Sequence, residues 1–338
     1  MPGLTEAEAE ALFAPYALTE RIGLAVSGGP DSLALLLLAA RWAKPRPTPE
    51  LIAYTVDHRL RPEAADEADM VAREAAALGL RCRILRWEGE KPATGVQAAA
   101  RTARYRLLAA ARDEDQVDLV LTAHHLGDQA ETVLMRLAHG SGIDGLAAMR
   151  DLSFVEGCKI GRPLLGVHPD RLREHVAAAG LIPAHDPGND DPAYERVRWR
   201  QFQPQLDAMG LTIERLGTLA RRLDHAVMLA VDSVETAYPQ IVHPVTATHY
   251  EIVHGRFSVL NPLVATRLLG QVLELVSGDR RSPPLAPLEA LVGELARFEP
   301  LKTTTLHGCT IAARGNTITV RKEKPRRTAR TPASDPSA

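Results

Sequence analysis

Cysteine is scarce in this chain of 338 residues, and the scarcity narrows its chemistry. Cys82, Cys158 and Cys309 lie far apart and form no CxxC pair. That argues against a zinc knuckle, a dithiol redox centre or a disulfide framework, and it fits a reducing cytosol. Charge of one sign is lacking too: 40 Lys and Arg against 42 Asp and Glu leave a formal net charge of −2. With no global basic field, a nucleic-acid partner would have to be held by local arginine clusters. No uninterrupted apolar run approaches the ~20 residues of a membrane span. The opening Met1-Pro-Gly-Leu-Thr-Glu-Ala-Glu-Ala-Glu is acidic and has no basic secretion signal. A soluble, cytoplasmic protein without a membrane partner is expected. There is no Walker loop and no internal repeat.

What is present begins with Ile22-Gly-Leu-Ala-Val-Ser27-Gly28-Gly29-Pro30-Asp31-Ser32, followed by Leu-Ala-Leu-Leu-Leu-Leu. A β-prone run ends in a glycine pair and opens into an apolar helix. Glycine admits φ > 0 and removes the Cβ, so consecutive N–H groups can turn toward an anion. Those donors then lie at a helix N-terminus, where the macrodipole favours phosphate. Ser-Gly-Gly-x-Asp-Ser resembles the pyrophosphate-binding loop of the ATP pyrophosphatase superfamily, whose members adenylate a substrate and release pyrophosphate. The alternative is a strand-to-helix turn that holds no ligand.

With 45% apolar residues the chain can bury an ordinary core, and its length suits two domains. Ile22–Val26, Leu51–Asp57, Arg81–Trp87 and Asp118–His124 are expected strands. Ser32–Trp42, Pro62–Leu78 and Thr94–Arg112 are expected helices between them. Such alternation predicts an α/β fold, a doubly wound parallel sheet with ligands at the carboxyl ends of its strands. After the Pro/Gly/Asp-rich stretch 183–192, Glu214–Ala237 carries apolar residues at spacings of three and four. Val264–Val276 and Leu285–Phe298 are further expected helices, and Thr304–Ala313 with Thr317–Lys322 a terminal hairpin. The expected division is a first domain over 1–206, a mostly helical C-terminal domain over 207–322, and a disordered basic tail over 323–338.

Three constellations carry candidate chemistry. Asp57, in Val56-Asp57-His58-Arg59-Leu60-Arg61, suits a ribose hydroxyl or a metal-bound water, or else caps the next helix. In Thr122-Ala-His124-His125-Leu126-Gly127-Asp128-Gln129-Ala130-Glu131-Thr132, Asp128 and Glu131 share a helical face behind His124. Two carboxylates there suit Mg²⁺ or an ammonium group, or simply complement the helix dipole. The third is Arg196-Val197-Arg198-Trp199-Arg200, whose guanidinium groups suit phosphates and whose indole suits a base, unless the run is solvated charge.

The order of these motifs resembles the tRNA(Ile)-lysidine synthetase family over roughly residues 20–206. Besides those quoted, the resemblance rests on Gln97-Ala-Ala-Ala-Arg101-Thr-Ala-Arg104-Tyr105, Gly142–Met149, Arg162–Leu165 and Asp186-Pro187-Gly188-Asn189. Three departures are Gln97 in place of an acid, Gly127 in place of an aspartate, and Val197 in place of an asparagine. The resemblance implies ATP and Mg²⁺ as cofactors, with the CAU-anticodon isoleucine tRNA and free L-lysine as substrates. Ser27, Gly28, Gly29, Pro30, Asp31, Ser32 and Asp57 would bind ATP. Asp31, His124, Asp128, Glu131 and Arg196 would be catalytic, with Asp128 also the metal ligand. Arg196, Arg198 and Arg200 would hold the tRNA; the first domain would be catalytic, and the C-terminal one would contact the tRNA. A thiolating or small-molecule amidating relative with the same adenylate chemistry is the alternative, and a homodimer is left open.

Overall fold

The computed structural model describes residues 1–184, 188, 190–279 and 281–324. The chain forms two compact units, Met1–Asp224 and the residues from His225 on. The first contains α1 (Glu6–Phe13), β1 (Arg21–Ala25), α2 (Pro30–Ala43), β2 (Glu50–Asp57), α3 (Glu63–Ala77) and β3 (Arg81–Arg86). It continues with α4 (Val96–Glu114), β4 (Leu119–Leu121), α5 (Leu126–Ala138), α6 (Ile143–Leu146), β5 (Leu152–Val155) and β6 (Cys158–Gly161). Then come α7 (Pro169–Ala178), α8 (Glu195–Ala208) and the opening of α9 (Ile213–Ile241), whose residues from His225 on belong to the second unit. The strands form one sheet in the order β3-β2-β1-β4-β6-β5. All neighbours are parallel except β5, which folds back antiparallel on β6.

Alternation along each strand builds both faces of this sheet. Ile22, Leu24, Leu51, Ala53, Leu119 and Leu121 face one core, with Leu33, Leu36, Val71 and Leu172 from α2, α3 and α7. Ile52, Tyr54 and Val120 face the other, with Tyr105, Leu108 and Ala111 of α4. The strand order explains the switch of face. From β1 to β3 the sheet grows one way, and β4 then returns to the other side of β1. A right-handed crossover in the reversed direction places α4 on the opposite face. The reversal leaves a crevice at the carboxyl ends of β1 and β4.

The expected strands and helices of this half are all present, although β4 is three residues long rather than seven. The β5–β6 pair adds to the expected elements. The first unit also extends past the expected domain end at 206, because Leu216 and Ala220 of α9 pack with Leu206 of α8 and Ala130, Val133 and Leu134 of α5.

The second unit adds β7 (Val242–Thr246), β8 (His249–Val253), α10 (His254–Phe257), α11 (Pro262–Ser277), α12 (Leu285–Leu295), β9 (Leu301–Leu306), β10 (Cys309–Arg314) and β11 (Thr317–Lys322). The predicted hairpin exists within a larger antiparallel sheet, in the order β7-β8-β11-β10-β9. Thr304–Ala313 is two strands rather than one. His307 and Gly308, at φ 52° and 68°, turn the chain between them as a two-residue hairpin loop requires. Leu268, Leu269, Val272 and Leu273 of α11 cover Ile252, Ile311, Ile318 and Val320 of the sheet. The expected tail lies outside the described residues from 325 on.

Gly23 is a position where the site-bearing sheet tolerates no side chain. A Cβ there would lie 2.5 Å from Tyr54 Cε2 and 3.1 Å from Val120 Cγ2. Tyr54 cannot easily yield, since its hydroxyl donates to Asp115 (2.9 Å), which also holds Arg83 (2.6 Å). Gly23→Ala is therefore expected to cost about 1–3 kcal/mol by overpacking. A lowered melting temperature would check it, and an unchanged one would show that the ring shifts freely.

Candidate active site

At the end of β1 the loop Ser27–Asp31 is held by its own side chains. Ser32 Oγ donates to Gly29 O (2.9 Å) and accepts from Ser27 N (3.1 Å), with Ser27 Oγ 3.3 Å away. Gly28 alone of the pair needs its freedom: φ is +88°, and a Cβ would approach Met70 Cε to 3.1 Å. Gly29 is the N-cap of α2 and supplies no side-chain cap, and Pro30 follows at the first helical position. The opening N–H groups of α2 thus have no capping side chain. Ser32 is buried and shapes the loop from behind, whereas Asp31 is partly exposed.

The end of β4 faces this loop. His125 caps α5: its Nδ1 accepts from Asp128 N (3.3 Å), while its own N–H donates to Asp128 Oδ2 (3.0 Å). The other ring nitrogen, Nε2, lies 3.4 Å from Asp31 Oδ2. One imidazole therefore joins the loop after β1 to the helix after β4. Burial opposes its charged form, but the bond to Asp31 and the charges of Asp128 and Glu131 outweigh burial and raise its pKa. The second oxygen of Asp31, Oδ1, is buried and has no hydrogen-bond partner among the described residues.

His124 is different. Its Nδ1 lies 2.8 Å from Thr122 Oγ1. Burial, reinforced by Arg162, Arg104 and Arg196 and opposed by Asp128, takes its pKa down to about 3. At neutral pH it is an uncharged imidazole. Burial alone would raise the Asp128 pKa, but His125, His124 and Arg196 hold it below its usual value.

The arginine run resolves into two groups, because it is helical. Arg196 and Arg200 stand one turn apart on α8 and meet the same carboxylate: Arg196 Nε is 3.1 Å from Glu131 Oε2, and Arg200 Nε is 2.8 Å from Oε1. Arg196 also approaches Asp128 (3.9 Å) and donates to Thr132 Oγ1 (3.3 Å). Burial and the Asp128 charge raise the Glu131 pKa, partly offset by both arginines. Arg198 points away and donates to the carbonyls of Pro192 and Ala193. Trp199 packs beside the α5–α8–α9 cluster and bonds Glu195 (3.3 Å).

The structure thus brings together Asp31, His124, Asp128, Glu131, Arg196 and Arg200. Asp57 is buried at the end of β2, accepts from Arg59 N (2.9 Å) and lies 3.9 Å from Arg59 Nε. It serves the turn after β2, where Arg59 adopts φ 52°. Asp186, Pro187 and Asn189 lie outside the described residues. Sequence reasoning gives His125 no role, although its place between a strand and a helix with Asp128 three residues on is a capping-box pattern. Gln129 and Met149, from two separate motifs, exchange hydrogen bonds of 2.8 Å in both directions and clamp α5 to the segment after α6. Gly127, the departure from the expected aspartate, makes room for the His125 ring, which a Cβ would approach to 2.9 Å.

The depressed His124 pKa predicts an acid-side loss of stability. Between about 3 and 6.5 the unfolded chain binds a proton here that the folded chain does not, so stability falls as pH drops through that window. The raised His125 pKa has the opposite sign: its contribution is complete below the unfolded value and lost as pH rises through the folded one. His124→Gln should therefore lose less melting temperature than the parent between about pH 7 and about pH 5. Equal losses in thermal melts would assign the acid sensitivity to other groups.

Residues 4–206 match the family model of the PP-loop domain. The chain is 43% identical over 334 residues to a tRNA(Ile)-lysidine synthase of Rhodopseudomonas palustris, an alignment covering 95% of each protein. It is 52% identical over 236 residues to that of a Bradyrhizobium species, covering 69% of this chain and 66% of the relative. Among solved structures it resembles a U34-tRNA thiolase of Methanococcus maripaludis, with a TM-score of 0.54 and 19% identity over 65% of this chain and 78% of that one, a likeness of fold alone. With a PP-loop domain over its first 206 residues and relatives of this identity along nearly its whole length, the chain belongs to the tRNA(Ile)-lysidine synthase family, ATP-dependent ligases that modify tRNA.

Proposed function

We propose that this enzyme adenylates the wobble cytidine of the CAU-anticodon isoleucine tRNA and replaces AMP with free L-lysine, acting in the cytoplasm. The observation that carries the reading is the His125 bridge between Asp31 on the phosphate-facing loop and Asp128 on the carboxylate helix. It puts an anion-binding turn and a cation-binding pair at one crevice.

In the first step the cytidine 2-oxygen attacks the α-phosphorus of ATP, and the bond to the β-phosphate oxygen breaks. Pyrophosphate leaves with its charge held by the N–H groups at the start of α2. The residues present suit Mg²⁺, which is commonly held by one or two carboxylates together with substrate phosphates. Asp31, through its unpartnered Oδ1, and Asp128 would hold it, and it would neutralise phosphate charge when bound.

In the second step the ε-amine attacks carbon 2, and AMP departs. The incoming group is an ammonium with a reference pKa of about 10.4, so it must lose a proton before attack. Asp128 and Glu131 bind it, and Glu131, with its raised pKa, accepts the proton. In the free enzyme Glu131 is occupied by Arg196 and Arg200, both partly exposed. RNA phosphates draw these arginines away and free the carboxylate, so that lysine engages after RNA. Neutral His124 hydrogen-bonds the substrate and stores no proton.

A thiolating reading finds no support in the cysteines. Cys82 lies on β3 and Cys158 on β6, with three strands between them, and Cys309 belongs to the other unit.

Incubation with unmodified transcript, ATP, Mg²⁺ and labelled lysine, followed by nucleoside analysis, tests the function directly. Labelled lysidine is the expected product, and its absence with a folded enzyme overturns the reading. Asp31→Asn should reduce pyrophosphate release by ~10²–10³-fold. Glu131→Gln should accumulate adenylated tRNA in single-turnover assays, whereas Asp128→Asn should slow both steps. Lysine transfer at the parent rate in both α5 variants would reduce these carboxylates to partners of the helix dipole.

A further inference from the structure

Across β4 from the phosphate loop lies a second group of arginines, none of them ion-paired with a carboxylate among the described residues. Tyr105 of α4 is 1% exposed and packs with Val120, Cys158 and Ile160 of the sheet. The Arg101 and Arg104 guanidinium carbons each lie 5.1 Å from the centre of its ring. Arg162, directly after β6, is 4% exposed. Its Nη1 donates to Arg150 O (2.7 Å) and Ser153 Oγ (2.8 Å), but its buried Nε has no hydrogen-bond partner among the described residues. No carboxylate pairs with Arg101, Arg104 or Arg162 among the described residues, in contrast to Arg196, Arg200 and Arg83.

Topology puts this cluster at the reacting edge of the sheet. α4 follows β3 and runs against the strands, so its first half, with Arg101 and Arg104, lies toward their carboxyl ends. Gly161, next to Arg162, accepts from Thr122 N (2.9 Å), and Thr122 holds His124. Burial disfavours the charged forms of both Arg104 and Arg162, and with Arg196 they help keep His124 neutral. The Asp151 charge supports the Arg162 cation from beyond ion-pair distance, and desolvated cations so weakly compensated are costly, a cost that an entering anion offsets. A guanidinium fork fits two phosphate oxygens. Exposed Arg101 leaves the cluster open to solvent on one side, as a polymer passing through requires.

We propose that Arg101, Arg104 and Arg162 form a second phosphate pocket, separate from the loop after β1, that takes a phosphodiester of the anticodon loop beside the reacting nucleotide. This rests on the function proposed above. The loop after β1 serves the ATP phosphates, so the second pocket serves the other phosphate-bearing reactant. Gripping the backbone next to the target base lets that base leave its stack and reach the crevice.

The test uses the full chain and compares the parent with Arg101→Gln, Arg104→Gln and the double variant. Each is titrated with unmodified CAU-anticodon tRNA at several salt concentrations, and separately with ATP. The double variant should bind tRNA at least about tenfold more weakly, with a salt slope smaller by about 0.7 for each single-stranded phosphate it no longer neutralises. ATP affinity without tRNA should be unchanged. A fall in ATP affinity with intact tRNA binding would give the pocket to the nucleotide and overturn the proposal. So would unchanged affinity for both. Arg101→Gln, at an exposed position, keeps the test valid if the more buried substitution unfolds the protein. Lysidine formation by the parent is scored independently. A parent that makes lysidine beside variants with unaltered tRNA affinity overturns the pocket and leaves the function standing.

Discussion

The site depends on one imidazole held between two carboxylates from opposite sides of a chain reversal. His125 meets Asp31 through one nitrogen and the start of α5 through the other. Neither interaction is strong alone. Together they join the turn after β1 to the start of α5, and preorganisation of this kind lets fixed dipoles act on charge that develops during a reaction. The sheet makes the bridge available, because strands that diverge from a switch point leave their carboxyl-end loops facing across a crevice.

Charge around this crevice is arranged in opposition. Asp31, Asp128 and Glu131 lie near the phosphate loop and α5, while Arg104, Arg162 and Arg196 surround His124. The two histidines, adjacent in sequence, accordingly shift in opposite directions. Burial affects both, so the sign is set by which charges each ring meets. A chain with net charge near zero can in this way set neighbouring side chains in local fields of opposite sign.

The arginine run shows how much a periodicity decides. In an extended segment, Arg196, Arg198 and Arg200 would share a face. In the helix that forms, Arg196 and Arg200 share one and Arg198 turns away to the backbone of residues 192 and 193. Val197 takes the buried side of the same helix. The three are therefore unequal candidates for holding RNA.

Alternating apolar strands and amphipathic helices made the doubly wound half legible in the amino-acid sequence, because burial on both faces demands that pattern. The glycine pair, Asp31, Asp128 and Glu131 were legible for a similar reason: turn geometry and helical spacing are local properties. The C-terminal sheet was only half legible. β7 carries a proline and a mostly exposed edge, and β9 is a threonine-rich run without alternation, so neither announces a strand until β8 and β10 pair with it. Tertiary structure alone decided that His125 bridges two loops, that Gln129 clamps Met149, that Glu131 is paired with two arginines, and that Arg101, Arg104 and Arg162 have no carboxylate at ion-pair distance among the described residues. Each of these joins residues separated by 20 positions or more, and no local preference of the chain encodes such a distance.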